Sequence, residues 1–233
     1  MRRVDLGLQP ESVELSGGAT QQVSVRFGHV RHPVSETPSA CYSTRRAQIV
    51  SAAIDTIADL GYANASFAQI TKRAGLSSPR MISYHFADKN DLIHQILIEV
   101  FTAGAKYINE HTLAADNDLG RLRAYLLANL RFLREHPKEI AALTEIGPHL
   151  RNESGQAYTS TSAQEVSVQS LEQLLSQGQA GGEFRDFDIR SMAIMIRGAI
   201  DGAGRRLREE PDFDFDAYTS EVVATFTLAT RKG

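Results

Sequence analysis

Residues 66–92 read SFAQITKRAGLSSPRMISYHFADKNDL, and these 27 residues contain three signals for the start of a helix. Ser66, with a glutamine three residues later, forms a capping box that satisfies free backbone groups at a helix N-terminus. Ser78 followed by Pro79 is a second start, because proline at the first helical position loses no hydrogen bond. Asp88 supplies the third cap. The stretch therefore predicts two short helices and the beginning of a third.

A turn containing Gly75 separates the first two helices, and glycine adopts positive φ there without strain. Two short helices joined by such a turn describe a helix-turn-helix, with an ordinary helical hairpin as the alternative. The second helix favours DNA binding, because it is too short to be a good core helix and polar side chains occupy its outward positions. These side chains are Ser77, Ser78, Arg80, Ser83, Tyr84 and His85.

The segments AGLS at 74–77, YHF at 84–86 and DKNDL at 88–92 together resemble the DNA-binding signature of the TetR/AcrR-type transcriptional regulators. The segment GEFRDFDI at 182–189 is similar to the same family. The resemblance implies an all-α fold, in which an N-terminal three-helix DNA-binding domain with a helix-turn-helix precedes a larger helical ligand-binding and dimerisation domain.

This resemblance extends over about residues 44–231 and is most specific in the first 50 of these. The chain departs from many members by one additional residue between the glycine turn and the HF pair. It also has Ser83 where those members have an aromatic residue. The departure affects the positions that would read bases.

The sequence predicts three parts. Residues 1–43 show no helical period and are expected to form a disordered or loosely ordered extension, although they could form a weak hairpin or a basic arm directed to the minor groove. Residues 44–90 are expected to form the helix-turn-helix DNA-binding domain. Residues 91–233 are expected to form the ligand-sensing and dimerisation domain.

Charge is distributed unevenly along the 233 residues, whose overall net charge is −3. The 44–90 segment has six basic and three acidic side chains, whereas 91–233 has 15 basic and 21 acidic ones. A basic module on an acidic body suits a protein that contacts DNA at one end.

Composition predicts a cytoplasmic protein. No apolar run reaches the roughly 18 residues of a membrane span, and the first residues lack the apolar region of a signal peptide. Cys41 is the one cysteine in the sequence, so no internal disulfide can form.

Helical periodicity continues beyond the helix-turn-helix. A long helix is predicted over 88–111, and in the family this helix links the DNA-binding and sensing domains. An amphipathic helix precedes the motif at 44–61, and glycines suggest a flexible connection at 178–182. Further helices are predicted at 119–135, 137–147, 163–177, 188–208 and 215–230.

Twelve residues are predicted to contact DNA: Arg45, Arg46, Ser66, Thr71, Ser77, Ser78, Pro79, Arg80, Ser83, Tyr84, His85 and Lys89. Arg80 and Ser78 are expected at base edges, and Ser66, Thr71, Tyr84, His85 and Lys89 at phosphates. Arg45 and Arg46 lie near the first helix start, where the helix dipole disfavours cations. A nearby phosphate would compensate, and a solvated pair is the equal alternative.

No catalytic motif occurs in the sequence, so we predict no enzyme activity, no metal and no cofactor. Glu145 and His149 have the spacing of a metal pair, but Gly147-Pro148 interrupts the helix between them.

A ligand pocket is implied by the resemblance alone, with a small apolar or amphipathic effector. The candidate ligand contacts are Phe101, Tyr125, Asn129, Phe132, Glu145 and Arg197, with Tyr107 as a further possibility. Each is also compatible with ordinary core or surface. Arg197 and Asp201 are most simply an ion pair of i, i+4 spacing.

The last two predicted helices have excess apolar surface and small residues at Gly198, Gly202 and Gly204, which suits a four-helix bundle with a second copy. The predicted function is ligand-responsive repression by a homodimer bound to a palindromic DNA operator. The alternatives are a helical interaction or scaffold protein that does not bind DNA, a small-molecule enzyme on a helical bundle, and a DNA-binding regulator without an inducer.

Overall fold

Nine α-helices and one short 3-10 turn make up the regular structure of residues 40–151 and 160–233, the part of the chain that the computed structural model describes. Side chains are described for residues 42–151 and 164–233. The helices are α1 (Ala40–Leu60), α2 (Phe67–Arg73), α3 (Arg80–His85), α4 (Lys89–Thr112), α5 (Asp118–Glu135), α6 (Pro137–Ile146), α7 (Ser160–Ala180), α8 (Ile189–Glu209) and α9 (Phe215–Thr230), and the 3-10 turn at Gly147–His149 follows α6. The predicted all-α fold is confirmed.

The predicted N-terminal extension, with its hairpin and basic arm, lies almost entirely outside the described residues. Its last four residues are the exception, because α1 begins at Ala40. Arg45 and Arg46 therefore lie in the second turn of α1 rather than in its first turn.

The helix-turn-helix consists of α2 and α3. Ser66 caps α2 as predicted, since its Oγ accepts a hydrogen bond from the Gln69 N–H at 3.3 Å. The returning half of the capping box is absent, because the Ser66 N–H donates instead to the carbonyl of Asn64 at 2.9 Å. Gly75 has φ +64°, which supports the predicted turn.

Helix α3 begins one residue later than the sequence suggested. Pro79 is its N-cap residue, with no side-chain cap, and Ser78 contributes its carbonyl, which accepts from the Met81 N–H at 3.1 Å. At the start of α4, Asp88 caps the helix, and Asp91 bonds back to the residue before Asp88. The Asp88 Oδ1 accepts from the Asp91 N–H at 2.9 Å, and the Asp91 Oδ2 accepts from the Ala87 N–H at 2.9 Å.

The first of two compact units contains the described residues 40–102 and 141–151. Its core is formed by apolar residues of α1, α2, α3, the first half of α4 and the end of α6. The largest fully buried side chains in it are Phe86, Ile49, Ile57, Ile70, Ile82, Leu92, Ile96 and Ile146. This compact unit extends to residue 102 within α4, because the apolar side of the first half of α4 is buried in its core.

The second unit contains residues 103–140 and the described residues 160–233. Its core lies among α5, α7, α8 and α9 and includes Leu122, Leu126, Leu130, Leu171, Leu175, Ile196 and Ile200. Gly178 belongs to α7, so the predicted flexible connection at 178–182 is wrong at its start. The Phe184 ring occupies the space where a Gly178 side chain would lie, which fixes the end of α7.

Candidate nucleic-acid interface

Helix α3 has a buried side and an exposed side. Ile82, and Phe86 just after the end of α3, are buried in the core of the first unit. On the opposite side, Arg80, Ser83 and Tyr84 face solvent. Tyr84 is 75% exposed, which is unusual for a large aromatic side chain in a monomer. Arg80 forms no ion pair within the described residues. This exposed side can therefore offer a guanidinium, a hydroxyl and a phenol to a partner.

The residues that flank this surface are also accessible. Ser77 and Pro79 are exposed, and Ser78 is half-buried. The Ser77 hydroxyl makes a weak contact with the sulfur of Met81 at 3.3 Å. Ser66, at the start of α2, is exposed and uses its oxygen as a cap, so its hydroxyl proton can still be donated.

An open crevice of about 450 Å³ lies where α1 meets the end of α3. His85 lines it, and its ring packs against the Tyr42 ring at a centroid distance of 4.5 Å. The pKa of His85 is lowered, first by burial and then by the charges of Arg46 and Arg45. Neutral His85 with a buried, unpartnered Nδ1 is therefore the expected state at pH 7.

Arg46, which was predicted to contact DNA, makes its contacts within this unit in this conformation. Its Nη1 donates to the carbonyl of His85 at 2.6 Å, and its Nη2 donates to Gln95 at 3.0 Å. The guanidinium also lies 4.2 Å from the centroid of the Phe86 ring. Arg46 thus joins α1 to the C-terminal end of α3, where free carbonyls need donors. Arg45 differs, because its Nη1 bonds only to Gln48 on its own helix, at 2.6 Å.

Two further predicted phosphate contacts are occupied elsewhere. Thr71 is 6% exposed and its hydroxyl donates to the Phe67 carbonyl at 2.6 Å, so this proton is used within the unit. The Lys89 ammonium donates to the Tyr62 carbonyl at 2.6 Å and lies 4.1 Å from the centroid of the Tyr62 ring. Burial lowers the pKa of Lys89. In this conformation, both side chains stabilise the module.

Tyr62 also contacts the segment that ends α6. Its ring stacks on His149 at a centroid distance of 4.1 Å and an interplanar angle of 15°. Its N–H donates to the Glu145 carboxylate at 3.4 Å. Glu145, predicted as a ligand contact, and His149 therefore belong to this unit and hold the turn between α1 and α2. Phe101 also lies in this unit and is 43% exposed.

Three of the predicted ligand contacts meet within the second unit. Tyr125 and Asn129 on α5 and Arg197 on α8 are buried together. The Arg197 Nη1 donates to the Asn129 Oδ1 at 3.3 Å, and the Asn129 Nδ2 donates to the backbone carbonyl of Tyr125 at 2.9 Å. Burial raises the pKa of Tyr125. The Arg197–Asp201 ion pair is confirmed, at 2.5 Å.

Phe132, also predicted as a ligand contact, belongs to a different aromatic group. It stacks on His136 at a centroid distance of 4.2 Å and lies 5.7 Å from the Tyr107 ring. The Tyr107 hydroxyl donates to Glu135 at 2.9 Å. Phe132 is therefore accounted for by ring packing.

Sequence reasoning missed Tyr42, Tyr62 and Gln95, and it considered His149 only as a metal ligand and not as a partner of Tyr62. Each acts on a residue between 27 and 87 positions away, and no periodicity or local spacing predicts such pairs. Among the described side chains, no cluster of three or more His, Cys, Asp or Glu could hold a metal ion. No described helix has the length and apolar character needed to cross a membrane.

The sequence of the helix-turn-helix region is similar to that of known regulatory proteins. Residues 49–96 match the family described as bacterial regulatory proteins, tetR family. The HTH-type transcriptional regulator BetI of Stenotrophomonas maltophilia is 38% identical over 89 residues, which are 36% of this chain and 43% of that protein. BetI of Ectopseudomonas mendocina is 33% identical over 87 residues, which are 36% of this chain and 44% of that one. The matched region thus spans less than half of these curated relatives.

Solved structures resemble most of the chain in fold. The fatty acid degradation regulator FadR from Bacillus halodurans has a TM-score of 0.66 and 20% identity, covering 83% of this chain and 97% of its own. A bacterial regulatory protein in the tetR family from Rhodococcus RHA1 has a TM-score of 0.66 and 18% identity, covering 81% and 98%. At these identities, the similarity concerns the fold alone.

Proposed function

We propose, from the membership of this chain in the tetR family of bacterial regulatory proteins, that it is a DNA-binding transcriptional repressor controlled by a small molecule. The observation that carries the proposal is the two-sided α3. Its apolar side is fixed in the core and its end is held by Arg46, while Arg80, Ser83 and Tyr84 are exposed on the other side. Rigid presentation of polar groups on a short helix suits insertion into a major groove.

Within this proposal, Arg80 is the principal reader of base edges, because arginine can bond bidentately to guanine. Ser78 is assigned to base edges as well. Phosphates are assigned to Ser66, Tyr84 and His85, with Arg45, Ser77, Pro79 and Ser83 at the margin of the interface. Arg46, Thr71 and Lys89 support this surface from within.

Dimerisation through α8 and α9 is supported by an exposed apolar surface on these helices. Ile194 and Met195 on α8 are 50% and 53% exposed, and Leu228 on α9 is 71% exposed. No atom lies within 4 Å of where a Gly198 side chain would be, so a partner helix could approach closely there. A two-fold dimer would place two α3 helices in successive major grooves, about 34–36 Å apart, and would require a palindromic operator.

Release of the operator by an effector is the regulatory part of the proposal. A ligand that binds the DNA-incompetent conformation more tightly shifts the population away from the operator-bound state. The buried polar group of Tyr125, Asn129 and Arg197 supports a ligand site in the second unit, since buried polar groups in an apolar core give orientation and selectivity.

The test is binding of the full chain to the DNA that flanks its own gene, measured by mobility shift over a salt series. Arg80→Ala is the test variant. Arg123→Ala is the matched control, because Arg123 is an exposed arginine in the second unit. Sequence-selective binding that Arg80→Ala loses and Arg123→Ala retains is the expected result. Equal effects of the two variants, or no preference over random DNA in a selection from a random library, would reject the proposal and favour a helical interaction protein.

A further inference from the structure

Arg197 carries the one charged side chain that is classed as buried in the described part of the chain, and it is 9% exposed. It lies on α8 and contacts Asn129 on α5 and Asp201 on its own helix. A buried guanidinium is costly unless its donors are paired, so its hydrogen-bond partners decide that cost.

The pairing of this guanidinium is incomplete. Its Nη2 donates to the Asp201 Oδ1 at 2.5 Å, and its Nη1 donates to the Asn129 Oδ1 at a long 3.3 Å. Asn129 is itself held by Tyr125, whose backbone carbonyl accepts from the Asn129 Nδ2 at 2.9 Å. The Arg197 Nε is buried and has no partner. One donor on the edge formed by Nε and Nη2 is therefore unused.

Asp201 occupies this edge with a single oxygen. Its other oxygen, Oδ2, accepts a hydrogen bond from the Gln164 side chain on α7 at 2.6 Å. A carboxylate with both oxygens free would match the Nε–Nη2 edge bidentately, which is the stronger arrangement. The Asp201 side chain is 36% exposed, whereas that of Arg197 is 11% exposed, so Asp201 lies on the solvent side of the guanidinium.

We propose that the Nε–Nη2 edge of Arg197 is the anchor for an effector that carries a carboxylate on an apolar body, and that this carboxylate displaces Asp201. This inference rests on the proposed function and deepens its ligand-responsive part. A singly charged carboxylate fits better than a phosphate, because one guanidinium balances one negative charge and the other groups, Tyr125 and Asn129, are neutral. An apolar body is chosen because the core side chains of α7 and α8 are apolar, among them Leu171, Ile196 and Ile200.

Displacement would also change a contact between helices. When Asp201 leaves Arg197, the bridge from Arg197 through Asp201 to Gln164 is lost, and this bridge joins α8 to the beginning of α7. The bound ligand and the intact bridge exclude each other at this edge. The ligand therefore has a different affinity for the two arrangements, which an effector needs in order to shift a population.

The first experiment tests whether the edge accepts an external carboxylate. Asp201→Ala in the full chain removes the resident carboxylate from a partly exposed position, and thermal unfolding is followed with acetate, acetamide or chloride at equal concentration. We expect acetate to raise the Tm above its value in acetamide, and we expect Arg197→Lys in the same background to lose this difference, because lysine lacks the planar edge. Equal Tm values in acetate and acetamide overturn the proposal.

The second experiment tests the effector class on the unmodified chain. Butyrate, octanoate and dodecanoate are compared with their amides by isothermal titration calorimetry. At least one carboxylate should bind about tenfold or more tightly than its amide, as expected for a charge-assisted pair, and Arg197→Lys should reduce the preference. Failure of all three carboxylates to bind, or equal binding of acid and amide, overturns the effector assignment.

Operator binding is measured separately, without effector, so the two failures are distinguishable. A chain that binds its operator but no carboxylate refutes this inference alone. A chain that binds carboxylates through Arg197 but no operator refutes the proposed function and leaves the site in place.

Discussion

The Lys89 ammonium lies 4.1 Å from the centroid of the Tyr62 ring and donates to the Tyr62 carbonyl at 2.6 Å, and the same ring stacks on His149. A lysine at the start of a long helix in a DNA-binding module would ordinarily be assigned to a phosphate. Here its charge joins the start of α4 to the turn that follows α1. The contact therefore predicts a structural rather than a DNA-contacting role.

Lys89→Met separates these two roles. Loss of the hydrogen bond and the cation–π contact should lower the free energy of unfolding by about 1–2 kcal/mol, measured by urea denaturation. The slope of log K against log salt for operator binding should stay unchanged, whereas loss of a phosphate contact would reduce its magnitude by about 0.9. Lys106→Met, at an exposed lysine, is the control for stability. A reduced salt slope with unchanged stability would contradict the structural role.

Arg45 and Arg46 are neighbours in sequence, but substitution by alanine is expected to lower the free energy of unfolding much more at Arg46 than at Arg45. Arg46→Ala leaves the His85 carbonyl and Gln95 without their donor and exposes the Phe86 ring, so the free energy of unfolding should fall by about 2–3 kcal/mol. Arg45→Ala should change it by less than about 0.5 kcal/mol, because it loses one bond on the surface of its own helix. Chemical denaturation of both variants gives the comparison. Similar losses would show that Arg46 does not hold α3.

The helix caps were predictable from the sequence, whereas the side-chain contacts between residues distant in sequence were not. Ser66 and Asp88 cap helices through backbone groups three residues away, so spacing alone identifies them. The Arg46–His85 bond spans 39 positions, and nothing near Arg46 in sequence distinguishes it from Arg45. For the same reason, the sequence favoured neither a phosphate nor a solvated pair for Arg46 and did not predict the His85 carbonyl as its partner.

The wrong prediction for the end of α7 has the same origin as the missed long-range contacts, namely packing between residues that are distant in sequence. Gly178 was predicted to lie in a flexible connection because glycine lowers helix propensity. In the structure α7 continues through it, because the Phe184 ring packs where a side chain would otherwise be. Tertiary packing thus overrides the local preference, and the sequence does not show which ring will fill the space.

Gly178→Ala is expected to destabilise the second unit, although alanine is the better helix former. A Cβ at this position would lie 2.2 Å from two atoms of the buried Phe184 ring. Because that ring is 2% exposed, it cannot move without disturbing its neighbours. The expected loss is about 1–3 kcal/mol, the usual range for overpacking, measured by thermal or urea unfolding. Gly147→Ala, with no atom within 4 Å, is the control, and equal effects would reject the packing argument.

His85 should make stability depend on pH. Its pKa is lowered in the folded protein, first by burial and then by Arg46 and Arg45, so the unfolded chain takes up the proton first as pH falls. Stability therefore decreases as pH falls through about 6.5, the ordinary histidine value, and His85 contributes no dependence well above it.

The measurement is urea denaturation between pH 5 and 8 of the unmodified chain and of His85→Gln. The variant should show a smaller loss of stability at low pH. His94 also has a pKa lowered by burial, partly offset by Asp91, so some dependence will remain. Identical pH profiles would exclude a contribution from His85.

Leu228 provides the sharpest test of the proposed dimer. It is 71% exposed on α9, and Leu113, just after α4, is 68% exposed, so the two leucines differ in position but hardly in exposure. An arginine at Leu228 would be buried without a partner in an α8–α9 interface, because a two-fold axis brings the same patch of both copies together. Leu228→Arg should therefore weaken dimerisation by about two orders of magnitude or more in Kd.

Leu113→Arg should leave the Kd of the dimer unchanged, as measured by sedimentation equilibrium. Since the substituted side chain faces solvent in the single chain, the helical content of the Leu228 variant should match that of the unmodified protein. Dissociation by Leu113→Arg instead would place the interface elsewhere.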